Sequence, residues 1–183
     1  STTTNEHEKH AIPYLVFEGE LDLPRHKELH ELSDEVIQKA VRKVLKVEGP
    51  MHIDQVSRRL AESVGVARIG KRIAKRFKEA IDQGSKEDRF KLHEQFLYPY
   101  PLRDPVIRDR SQLPNNLKNI DYVPTDEKRA AVIKIIQSSF SISRADAISE
   151  SLNVLGFQRS TQKAASAMED VINDLVIMEM VVE

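Results

Sequence analysis

Apolar positions along the chain recur mostly in steps of three and four. Val36, Ile37, Ala40, Val41, Val44 and Leu45 make one face of a helix that Ser33 or Asp34 caps, that runs to about Val47, and that Glu48-Gly49-Pro50 stops. Val56 and Leu60 continue the rhythm in a second helix from about Ile53 to Ser63, with Gly65 as a left-handed stop. A third helix covers Val66 to Ile81, its buried stripe being Ile69, Ile73, Phe77, Ala80 and Ile81, and Gln83-Gly84-Ser85 ends it. The period then changes to two. Arg89 to Tyr98 alternates in two short runs about His93-Glu94, as a small hairpin does. Upstream, the polar start to His10 has no pattern, and Ile12 to Glu18 reads as a short strand held to a sheet edge by Pro13.

Five of the eight prolines, Pro99, Pro101, Pro105, Pro114 and Pro124, lie between Tyr98 and Thr125, which reads as an extended linker or an arm wrapped over the surface. Beyond it the helical pattern returns. Val132, Ile133, Ile135 and Ile136 form a stripe, Ile148 and Leu152 repeat the spacing of Val56 and Leu60, and Leu155-Gly156-Phe157-Gln158-Arg159 repeats Val64-Gly65-Val66-Ala67-Arg68. The offset is 92 positions from Val56 to Ile148 and 91 from Gly65 to Gly156, so the chain reads as an internal duplication. The final run Leu175 to Val182 would supply strands of a second hairpin. The expected fold is mainly α with small β hairpins: tandem winged-helix-like repeats joined by a proline-rich linker. Its parts are an N-terminal arm with a short strand (1–32), a first winged-helix-like domain (33–98), the linker (99–125) and a second winged-helix-like domain (126–183).

Charge singles out the third helix. From Ser57 to Lys78 there are eight bases (Arg58, Arg59, Arg68, Lys71, Arg72, Lys75, Arg76 and Lys78) against one acid, Glu62, in a chain whose net charge is −1. A concentrated basic face on a nearly neutral protein is where a polyanion would dock, although a merely solvated helix face carries the same charges. The second copy has Gln162, Lys163, Ser166, Ala167 and Glu169 where the first has Lys71, Arg72, Lys75, Arg76 and Lys78. The fold was copied and the charge was not. The expected nucleic-acid contacts are Arg68, Lys71, Arg72, Lys75 and Arg76 on phosphates or groove edges, Arg58 and Arg59 on the backbone, and Arg89 and Lys91 in the wing, because the third helix of such architectures enters the major groove.

Glu48-Gly49-Pro50-Met51-His52, Arg58-Arg59-Leu60-Ala61, Gly65-Val66-Ala67-Arg68-Ile69-Gly70 and Phe96-Leu97-Tyr98-Pro99 together resemble an uncharacterised C-terminal domain of very large bacterial superfamily I DNA/RNA helicase-like proteins. Val106 to Arg110, Ile120 to Pro124 with Glu127, and Leu155 to Arg159 resemble the same pattern. Such proteins often also carry a restriction-endonuclease-like domain of the very-short-patch-repair type. The resemblance implies an accessory module of a nucleic-acid-processing machine, with the parent helicase and nuclease domains as partners; an activity of the domain's own is not something it supplies.

The remaining chemistry narrows the function. Without cysteine there is no disulfide, thiol nucleophile or cysteine metal site, and no apolar run reaches the roughly 18 to 20 residues of a membrane span. The cytoplasm is the expected compartment. There is no Gly-x-x-x-x-Gly-Lys-Ser/Thr phosphate loop. His26 and His30, four apart, lack the further ligands a zinc site needs, and Glu18, Glu20 and Asp22 lack the lysine a restriction-type nuclease needs. His52, at a helix start after a proline, is explained by capping. No enzyme, cofactor or metal is expected. The competing expectation is a protein-docking or structural module whose basic face meets acids such as Asp121, Asp126, Glu127, Glu169, Asp170 and Asp174.

Overall fold

The computed structural model describes residues 10–24 and 27–182 and has mixed α/β character, with six helices and two small sheets among them. The chain divides into two units. The first is Leu15–Arg103; the second joins the described residues up to Tyr14 with those from Asp104 onward.

In the first unit, α1 (Asp34–Glu48) starts where Ser33 Oγ accepts the Val36 N–H at 3.3 Å, with Asp34 and Glu35 suiting the positive end of the helix. α2 spans Ile53–Glu62 and α3 spans Lys71–Lys86. β3 (Phe90–His93) and β4 (Phe96–Pro99) form the expected hairpin, and β2 (Met51–His52) joins it to give the antiparallel order β2-β4-β3, with Met51 opposite Leu97. Ile37, Val41, Val44, Met51, Leu60, Phe77, Ile81, Phe90 and Leu97 are buried together, and Leu21, Leu29 and Leu32 pack into the same core. The expected arm therefore does not stand apart: Leu15 onward belongs to this unit, with Phe17 and Leu23 packed against its core, and Ile12–Tyr14 to the other unit.

Helix α3 begins and ends about five residues later than the apolar spacing predicts. Val66 to Gly70 form a connector in which Ile69 is partly buried without being helical. At the other end Gly84 does not stop the helix. It lies under the Phe90 ring, where an added Cβ would fall 2.5 Å from Phe90 Cζ, so its missing side chain serves packing.

In the second unit, α4 (Thr125–Gln137), α5 (Arg144–Val154) and α6 (Gln162–Ile177) enclose Val132, Leu152, Leu155, Met168, Val171 and Leu175. The proline-dense segment is not a spacer after Asp104. Ile120 and Val123 enter this core, and β5 (Arg108–Asp109) pairs in parallel with β1 (Ile12–Pro13). What ties it down is one buried carboxylate. Glu127 accepts from Arg108 Nη2 at 2.9 Å, from Arg110 Nη1 and Nη2 at 2.9 and 2.8 Å, and from the Arg108 N–H at 2.8 Å. The Tyr14 ring lies 4.9 Å from the Arg108 guanidinium and 5.2 Å from that of Arg110. Burial alone would raise the Glu127 pKa; the charges and hydrogen bonds of Arg110 and then Arg108 outweigh it, so its carboxyl lies below the ordinary value of 4.5.

The second hairpin expected from Leu175 to Val182 is not present among the described residues. Leu175 continues the helical stripe of Ala164, Met168, Val171 and Ile172, and α6 ends in a Schellman-type cap, with the Met180 N–H on the Leu175 carbonyl and Glu179 at φ 57°. The two stretches that align in sequence do share one local geometry. Val66 N–H bonds to the Ala61 carbonyl after Gly65 (φ 76°), and Phe157 N–H to the Leu152 carbonyl after Gly156 (φ 92°), so α2 and α5 end alike at the glycines that align in sequence.

Candidate nucleic-acid interface

The structure sorts the nine basic residues by what already holds them. Arg59 is committed to the fold: its Nε and Nη2 donate to Glu48 at 2.9 and 3.0 Å, and Glu48 is fully buried while also accepting the Phe17 N–H at 3.0 Å. Glu48 extends the α1 stripe of Val41 and Val44, so a carboxylate on an apolar face was the legible sign that a buried cation would seek it. Withdrawing Arg59 would leave that charge uncompensated inside the core. Arg76 is committed as well. It donates from Nε to the Leu32 carbonyl at 2.9 Å and from Nη2 to Asp34, fastening α3 to the start of α1. Lys91 pairs with Asp88, donates to the Ser85 carbonyl and sits 5.6 Å from the Tyr100 ring centre. Arg89 is half exposed, 3.9 Å from Glu87.

The other five differ. Arg68, Lys71, Arg72 and Lys75 are exposed, and Arg58 is partly exposed on α2. Lys75 has only Glu79 at the 4.0 Å limit, and among the described residues no ion pair engages Arg58, Arg68, Lys71 or Arg72. Four of the five cluster at the connector and the first turns of α3, whose N-cap is Gly70 with no side-chain cap and whose first turn has no acid. Cations at the positive end of a helix cost a few tenths of a kcal/mol to about 1 kcal/mol unless an anion answers them. Backbone N–H groups and basic side chains thus face the same solvent, an arrangement that suits phosphate.

Charge is divided between the units in the same sense. Leu15–Arg103 holds 18 Lys and Arg against 15 Asp and Glu, a charge of +3, and the rest of the sequence holds 10 against 14, a charge of −4, giving the total of −1.

The other candidates have local explanations. His52 is the N-cap of α2, Nδ1 accepting the Asp54 N–H at 3.1 Å, with its ring edge-on to Phe96 at 5.3 Å. Among the described residues no group of three or more His, Asp and Glu is placed to hold a metal; His26 lies outside them. No helix among them is long and apolar enough to cross a membrane.

The profile of a family described as a protein of unknown function (DUF3320) matches residues 27–75. That stretch carries α1, α2, the connector and the opening of α3, and with them all five available cations, so the similarity is to an uncharacterised domain, as the motif resemblance led one to expect. No curated protein and no solved structure matches the chain.

Proposed function

We propose that the chain is a non-catalytic nucleic-acid-binding module, with DNA as its ligand, which serves a larger cytoplasmic helicase or nuclease protein. The first unit acts as a winged helix: α1, α2 and α3 are followed by the β3–β4 hairpin, and α3 presents its N-terminal half to the nucleic acid. The observation that carries this reading is the separation of the cations. Fold-bearing arginines are held by Glu48 and Asp34, while Arg68, Lys71, Arg72 and Lys75 lie together at the connector and the first turns of α3, and they and Arg58 on α2 have little or no carboxylate to answer them. Maintaining such uncompensated charges makes physical sense if an external polyanion completes them. The helicase association rests on the sequence resemblance, and the second unit, lacking basic residues at the corresponding helix, acts as a companion domain.

The test is a variant in which Arg68, Lys71, Arg72 and Lys75 are all alanine. All four side chains are exposed, so the fold is retained, while the slope of log K against log salt on duplex DNA falls from about −4.5 to about −1, at −0.9 for each phosphate neutralised. Equal affinity and slope in the variant would remove the proposal and leave protein docking as the reading of the basic face.

A further inference from the structure

The character of the exposed side chains decides what the basic face reads on its ligand. From Val66 to Asp82 the sequence holds no Asn, Gln, Ser or Thr, the neutral residue types that hydrogen-bond base edges. Its two carboxylates, which would accept from cytosine, are turned onto the cations of their own helix. Glu79 lies 4.0 Å from Lys75 and 3.5 Å from Arg76, and Asp82 accepts from Lys78 Nζ at 2.8 Å. Ala67 and Ala74 are exposed, and an added Cβ at Gly70 would find open space, so a phosphate backbone can come close there without meeting a side-chain donor or acceptor. Guanine is the one base left, since arginine and lysine donate to it. An arginine that reads guanine has to present the edge of its fork in one orientation. Among the described residues no hydrogen bond or ion pair holds the guanidinium of Arg68 or Arg72 in any. Cations left loose in this way suit phosphates, whose oxygens accept from many directions.

The same stretch gives a single strand little to hold. Proteins that bind single strands stack the bases on exposed aromatic rings. Between Ser57 and Lys86 the one aromatic is Phe77, which is 1% exposed and lies in the core. Tyr100, exposed after β4, already has Lys91 Nζ over its ring at 5.6 Å. Without stacking, affinity rests on the density of phosphates, and a duplex presents two strands of them where a single strand presents one. We propose that the basic face binds duplex DNA through its phosphates alone, without regard to base sequence and in preference to single strands. This rests on the nucleic-acid reading above and adds what the face recognises.

The experiment is fluorescence anisotropy of the whole chain with three labelled duplexes of equal length, one of alternating A·T pairs, one of alternating G·C pairs and one mixed, and with one strand of the mixed duplex. The three duplexes are expected to differ by less than about fivefold, the least discrimination that one bidentate base contact supplies. The single strand is expected to bind more weakly than its duplex. A spread beyond about fivefold, or a single strand bound as tightly as the duplex, would overturn the proposal while leaving nucleic-acid binding in place. No binding to any of the four would overturn both. Arg72→Lys gives a second measurement on an exposed residue, because it keeps the charge and removes the fork. Equal affinity of the variant for all three duplexes supports phosphate contact, and a loss confined to the G·C duplex would overturn it.

Discussion

Gly65 and Gly156 occupy the same place in sequence and the same left-handed backbone, yet they meet different surroundings. An added Cβ at Gly65 finds open space, whereas at Gly156 it would fall well inside contact distance of the backbone nitrogens of Arg110 and Ser111. Gly65→Ala is expected to cost about 1–2 kcal/mol, the penalty for an L-residue in that conformation, and Gly156→Ala distinctly more, because the backbone on which Glu127 closes must move. Denaturant melts of the two variants check the order. Glu127 sets a pH dependence. Its native carboxyl pKa lies below the unfolded value near 4.5, so the stability it contributes is present above that pH and is lost as pH falls through the native pKa. Signals from Met168, in the apolar core of the same unit, should show earlier unfolding by urea as pH drops below about 4.5. Glu127→Gln should be less stable at neutral pH and lose that dependence.

Within α3, neighbouring residues divide two tasks. Arg76 reaches Asp34 and the Leu32 carbonyl; Lys75, one position earlier, faces solvent. Lys75→Ala should leave stability within about 0.5 kcal/mol and make the salt slope shallower by about one. Arg76→Ala should cost about 1–3 kcal/mol and leave the slope unchanged, because hydrogen bonds to charged groups are lost but no phosphate contact is. Parallel thermal melts and salt titrations separate the two. The helices were readable because amphipathic spacing is a local signal, as with Val41, Val44 and Leu45. The division between Lys75 and Arg76 was not, since it depends on Asp34, which is 42 residues from Arg76. The ends of α3 were misplaced for related reasons: Ile69 continues the apolar stripe from a non-helical connector, and Gly84 is explained only by Phe90.

At the scale of the whole molecule, proline density between Tyr98 and Thr125 suggested a linker, and proline does set an extended backbone there. Whether an extended segment is free or docked depends on its partners, and Glu127 with Ile120 and Val123 docks this one onto the second unit. Leu175 to Val182 shows the opposite limit. An apolar run fits strand or helix, and the stripe shared with Met168 and Val171 decided for helix. Gly65 and Gly156 end α2 and α5 alike, while the hairpin and the basic face belong to the first unit. The first unit is proposed to bind nucleic acid through Arg58, Arg68, Lys71, Arg72 and Lys75. The most direct test is fluorescence anisotropy of the unmodified chain on labelled duplex DNA at several salt concentrations. Binding whose log K falls with log salt at a slope of about −4 to −5 is the predicted result; no binding at about 50 mM salt, or a slope near zero, would contradict it.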